Sequence, residues 1–342
     1  MRGLAAAAAL GLLSIYPVQG QQSEAESFYS GRTLTLVVGY EPGGGFDLYG
    51  RLLAEFIGSH MPGVRAVTVR NMPGAASMVA ANWVYSAAPQ DGTVLFIPLE
   101  STAMNQVLQP GRATLDAREF QWLGRLGARR TLGISRTASG VRSIAEAKGK
   151  TVRMGATGAE DYGGQVSRAM NELVGTKFEL IIGYKGSREI YLAMDKGELD
   201  GITFAAAEEL VNDRPDWLKQ NTVSVLYVNA PKRITAFPDA PAITELATSD
   251  ADRKLLGFLA AKDEIGRSFV VGPGVPKTRV DYLRNVFAQT VADPKLRAAA
   301  DLRHIEVDFA SGEDIQRNVR AVTDVTPQEA ERYRKVINPP ER

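Results

Sequence analysis

The sequence predicts an α/β protein of two lobes, built on mostly parallel sheets with helices on their faces. Three observations lead there. From residue 33 onward, short apolar β-type runs alternate with segments of helical periodicity. The alternation breaks near RTASG at 136–140 and then restarts, which gives two successive sets of βα units. Several strands empty into glycine-bearing turns that lead directly into a helix.

Residues 1–20 read MRGLAAAAALGLLSIYPVQG, with one positive charge at Arg2, an apolar run from Leu4 to Tyr16, then Pro17 and small residues. This is the layout of a secretory signal, with cleavage expected near Gly20, and the run is too short to span a bilayer. QQSEAESFYS at 21–30 reads as a flexible lead-in. TLTLVV predicts the first strand, followed by a helix from about 47 that carries Leu48, Leu52, Leu53, Phe56 and Ile57 on one face. AVTVRN is the next strand, with a helix from about 77. GTVLFIPL follows, with a weaker helix near 102–108. After the break, SIAEAKGK predicts a helix leading into the strand TVRMG, and a second helix covers about 161–174. FELIIGYKG, GELDGITF, VSVLYVN and RSFVVGP read as strands; DYLRNVFAQTVAD and the stretch from Ser311 to Ile337 read as helical. Periodicity leaves open which lobe takes the segment after 262.

Composition narrows the function. At 342 residues, 44% apolar and 23% charged, the chain can bury one large core or two medium ones. Forty Lys and Arg against 39 Asp and Glu give a formal charge of +1, so the basic surplus that nucleic acid or an anionic membrane demands is missing. There is no cysteine, which excludes a lipid-anchored export form, disulfides, thiolate metal sites and a cysteine nucleophile. His60 and His304 stand far apart with no metal spacing and read as surface or packing residues. No GxSxG, SxxK, GxxxxGK[ST] or GxGxxG occurs, so no catalytic residue, metal or cofactor is nominated.

What remains is YEPGGGFD at 40–47, where Gly43, Gly44 and Gly45 join a strand to a helix. Free amides at a helix start, with no Cβ in the way, favour an anion, and Asp47 is placed to cap the helix. TVRMGATGAEDYGG repeats the arrangement in the second lobe with Gly155, Thr157 and Gly158, and IIGYKGSREI adds Tyr184, Lys185, Gly186 and Ser187. Two lobes that each offer amide-rich loops at strand ends make a cleft able to pin a small anion. A plain tight turn at each junction is the alternative.

The segments YEPGGGFD, VRNMPGAAS, APQDGTVLFI, GATG, GYKGSRE and KGELDGITF occur in an order that resembles the periplasmic solute receptors of tripartite tricarboxylate transporters, the Bug family. The resemblance runs from about Thr33 to the C-terminal helix. It implies a type II periplasmic-binding-protein fold, with lobe I at 31–134 plus 262–342 and lobe II at 135–261. Its ligands are small organic acids: di- and tricarboxylates, aromatic carboxylates, and some amino acids or amides. The ligand-binding residues it implies are Pro42, Gly43, Gly44, Gly45, Phe46 and Asp47, then Glu100, Ser101 and Thr102. In the second lobe they are Gly155, Ala156, Thr157, Gly158 and Tyr162, then Tyr184, Lys185, Gly186 and Phe204. The chain departs from the usual NRPGAGG at Asn71-Met72-Pro73-Gly74-Ala75-Ala76-Ser77 and from PDGYTL at Pro89-Gln90-Asp91-Gly92-Thr93. Glu100, Glu160 and Asp161 add carboxylates near an anion site.

The expectation is therefore a periplasmic receptor, monomeric and without a cofactor, that closes two lobes around a small carboxylate and hands it to membrane permease subunits. A ligand-presenting sensor for a signalling kinase is the alternative on the same fold. A secreted enzyme using Asp47, Glu160 and Asp161 as acid and base is the remaining one.

Overall fold

The computed structural model describes residues 18–110, 114–159 and 161–337. Glu160 and residues 1–17 of the expected secretory signal lie outside the described residues. Residues 21–30, expected as a flexible lead-in, instead belong largely to a helix, α1 (Val18–Tyr29). Its last turn is anchored: the Tyr29 ring stacks on Tyr282 at 5.4 Å, and its hydroxyl donates to the Gly92 carbonyl. Burying an aromatic of that size offsets the entropy of ordering the segment.

In chain order the next elements are β1 (Thr33–Val38), α2 (Gly45–Ile57), β2 (Ala66–Asn71), α3 (Met78–Ser86), β3 (Val94–Ile97), α4 (Thr102–Leu108) and β4 (Gln121–Gly127). The chain then crosses to a second sheet through β5 (Thr131–Arg136), α5 (Ile144–Gly149), β6 (Val152–Gly155), α6 (Tyr162–Ala169), β7 (Phe178–Ile181), α7 (Ser187–Lys196), β8 (Gly201–Ala206), α8 (Pro215–Lys219) and β9 (Val223–Val228). It returns along α9 (Asp250–Ile265) to β10 (Arg267–Val271). After that come α10 (Lys277–Ala292), α11 (Pro294–Leu302), β11 (Ala310–Ser311), α12 (Gly312–Thr323) and α13 (Pro327–Ile337). Among the described residues no helix is long and apolar enough to cross a membrane.

The first sheet has the order β11-β4-β10-β3-β1-β2 and the second β7-β6-β8-β5-β9. Neither is mostly parallel as expected. In the first, β1 pairs in parallel with β2 and β3, while β10 runs antiparallel to both β3 and β4. In the second, β6 is parallel to β7 and β8, while β5 is antiparallel to β8 and β9. The antiparallel pairs centre on β4 and β10 in the first sheet and on β5 in the second, the strands that lead into or out of the crossings between lobes. The expected boundaries at 134/135 and 261/262 fall inside β5 and α9. The chain crosses at 128–130, because Thr131 already pairs with Ala206 in the second sheet.

β1 shows how the core is divided. Leu34, Leu36 and Val38 join one apolar cluster with Leu52, Leu53 and Ile57 of α2, while Val37 points to the opposite face with Phe96. That alternation is the two-residue period of a strand covered on both sides. It fixes the carboxyl end of β1, and hence the start of α2, relative to the sheet.

Candidate functional site

The start of α2 is a loop of bare backbone. Gly43 has φ +88°, a region costly for any residue with a Cβ, and Gly44 is the N-cap with no side chain to offer. Helix geometry leaves the amides of Gly44, Gly45 and Phe46 without intrahelical acceptors. Pro42, Gly43, Gly44 and Gly45 are exposed and Phe46 is half-buried. Asp47 does not cap the helix as expected. Its buried carboxylate reaches back to accept from the Gly43 amide at 2.8 Å, and also from Arg51 and Asn71. These hydrogen bonds outweigh the upward push of burial and hold its carboxyl below the usual value.

The second loop is closed the same way. Asp161 caps α6 by accepting from the Gly164 amide at 2.7 Å. Its other oxygen accepts from the Thr157 hydroxyl and from the amides of Thr157 at 2.8 Å and Gly158 at 3.0 Å. Those amides, expected to face a ligand, are already taken. The Ala156 amide donates to the Ile181 carbonyl as part of the sheet edge. Gly155 is small for packing reasons, since a Cβ there would lie 2.6 Å from Leu199 and 2.8 Å from Ile190. In the third loop Lys185 donates its amide to Glu189 at 2.9 Å, and its exposed ammonium stands 3.9 Å from the same carboxylate. Gly186 is the N-cap of α7, and Tyr184 and Phe204 are half-buried against the second-lobe core. Each loop thus carries its own carboxylate four residues after the amide it accepts.

Below the loops lies a charge cluster. Glu100, in the turn between β3 and α4, is 2% exposed. Its carboxylate is 2.9 Å from Arg267, 3.5 Å from Arg129 and 3.7 Å from Lys262. Burial by itself would raise this carboxyl; the three cations together outweigh it and hold it down at about 2. Lys262 also lies 3.5 Å from Asp263, which accepts from the Thr131 amide and hydroxyl at the crossing. Arg267 sits 4.0 Å over the Phe46 ring, which in turn stacks on Tyr40 at 4.6 Å. Lys262 sits 4.0 Å over Tyr162, whose hydroxyl donates to the Leu259 carbonyl. The cluster therefore touches the first helix of both loops. Ser101 caps α4 without a side-chain bond, and the Thr102 hydroxyl donates to Leu99.

Near this cluster, residues of both lobes line an open pocket of about 710 Å³. Glu208, Asp301, Glu306 and Asp308 line it, with Arg130 and Arg233. Burial pushes Glu208 and Glu306 up from the usual carboxylate value.

Of the residues expected in the site, the structure brings Gly45, Phe46, Glu100 and Tyr162 around one charge cluster; sequence reasoning missed Arg129, Lys262, Asp263 and Arg267. The overlooked signal was charge in apolar surroundings: GARRTLG between two strands, and AAKDEIGRSFVV at the end of a helix.

No protein-family model matches the chain. The chain is 28% identical over 278 residues to the "UPF0065 protein in gbd 5'region" of Cupriavidus necator, covering 76% of this chain and 77% of that one. Its fold is that of a TctC solute-binding protein from Polaromonas solved without ligand, with a TM-score of 0.67, 23% identity, and 91% and 99% of the two chains covered. An R. palustris protein solved with adipate is similar too, with a TM-score of 0.58, 20% identity, and coverage of 88% and 97%.

Proposed function

We propose that this chain is an extracytoplasmic solute receptor of the tripartite tricarboxylate type, binding a small carboxylate between its lobes. The carrying observation is the start of α2. Its first amides are bare and exposed, they stand at the positive end of a helix dipole, and the Arg267 guanidinium lies directly behind Phe46. The two-lobed fold shared with the TctC protein, and the adipate bound by the R. palustris protein, support the same reading. Closure follows from the layout: a ligand that touches α2 in one lobe and α6 in the other binds the closed state better than the open one. Delivery to a membrane permease, periplasmic location and removal of residues 1–20 belong to this proposal.

A thermal-shift screen of the protein against about a hundred small acids, amides and amines tests it. A ligand at 100 times its Kd adds about 2.7 kcal/mol of stability. A carboxylate hit that Gly45→Pro abolishes supports the α2 anchor. Proline suits this first helical position after the extended Gly44 and deletes only the amide. Stabilisation by amines or neutral compounds alone rejects the carboxylate reading.

A further inference from the structure

The buried charge cluster behind the start of α2 sets a limit on the charge of the ligand. Arg129, Lys262 and Arg267 are three cations, and Glu100 and Asp263 answer two of them. One positive charge is left over. Glu208 of the second lobe, whose charge also acts on Arg129, offsets part of that unit. The neighbouring cavity is worse for an anion, because four carboxylates line it against two guanidinium groups. A first ligand carboxylate has a good place. Arg267 is 8% exposed, its Nε has no hydrogen-bond partner among the described residues, and its Nη2 lies 3.8 Å from where a Cβ on Gly45 would stand. A second carboxylate would face Glu100, which already holds the cations it would need, or the acidic cavity.

Resting on the receptor reading, we propose that Glu100 determines ligand charge, so that the protein selects carboxylates bearing a single negative charge over dicarboxylates of the same length. Glu100 acts as an internal counter-ion that takes Arg267 Nη1, which leaves Nη2, on the Gly45 side, for the ligand. The aromatic groups Phe46, Tyr40 and Tyr162, which pack beside the cations, suit an uncharged remainder.

Calorimetric titration at pH 7.5 with adipate, monomethyl adipate and dimethyl adipate tests this, because the three share one carbon chain and differ by one charge each. Monomethyl adipate should bind about tenfold tighter than adipate, with dimethyl adipate not bound. Glu100→Gln should reverse the order of the two acids. Adipate binding as tightly as or tighter than its monoester in the wild type overturns the charge limit and leaves the receptor reading intact. Dimethyl adipate binding as well as the acids overturns both. Binding of neither acid overturns the limit, since the monoanion is then not recognised. The wild-type comparison stands even if Glu100→Gln fails to fold.

Discussion

Asp47, Asp161 and Glu189 show that a carboxylate beside a glycine-bearing loop can be part of the loop's own structure. Each accepts an amide of its own loop and holds the turn in shape. Asp161 is both helix cap and loop clasp, so Asp161→Ala should cost about 1–2 kcal/mol in urea unfolding, with Asp161→Asn retaining part of it. Glu100 is a different case, a buried charge whose partners are buried too. Removing it leaves cations unanswered, and Glu100→Gln should cost about 3–5 kcal/mol at pH 7. Its folded value of about 2 lies below the ordinary 4.5. Its stabilisation is therefore present above pH 4.5 and lost as pH falls toward 2. Asp263, raised by burial, works in the opposite sense, so the difference between wild type and Glu100→Gln is the quantity to follow. That difference in melting temperature should shrink between pH 5 and pH 2.5; parallel curves would show that Glu100 is not ionised in the fold.

The elements explain several residues that periodicity alone does not. β4 and β5 carry Gly124, Gly127 and Gly133, which made them hard to read as strands. In the fold these glycines make room for rings: a Cβ on Gly133 would lie 2.2 Å from Tyr227, and one on Gly127 would lie 2.5 Å from Tyr49. Gly133→Ala should therefore destabilise by roughly 1–3 kcal/mol. Between β2 and α3 the chain does the reverse, placing Ala75, Ala76 and Ser77 at φ +46°, +50° and +73°. Ala76 and Ser77 stand where the resemblance leads one to expect glycine. Ala76 is exposed and loses no packing on shortening. Ala76→Gly should stabilise by up to about 1 kcal/mol, as relief of left-handed strain exceeds the added chain entropy. A destabilised variant would mean that the loop takes another conformation in solution.

At the scale of the molecule, α13 straps the lobes. It packs on both α4 and α6, with Tyr333 against Phe258 of α9 at 4.8 Å. Arg334 donates to the Val107 carbonyl, and Arg168 of α6 donates to the Ile337 carbonyl. Removing residues 327–342 deletes two buried apolar side chains, Tyr333 and Ile337, uncovers Phe258 beneath them, and should cost about 3 kcal/mol or more. Calorimetry should then resolve separate transitions for the two sheets; a single unchanged transition would show that the strap does not couple them.

The sequence by itself determined the local pieces. The apolar period placed β1, β3, β6 and their helices, the glycines marked the start of α2, and the charge balance turned attention from nucleic acid to a small ligand. These follow from interactions within a few residues, which a linear reading can see. Only the tertiary structure decided that both sheets are half antiparallel, that residues 21–30 are anchored by Tyr282, and that Glu100 is enclosed by Arg129, Lys262 and Arg267. The ion pairs around Glu100 join positions up to 167 residues apart, and the Tyr29–Tyr282 stack spans more still. Their strength depends on shared burial, which no single segment carries.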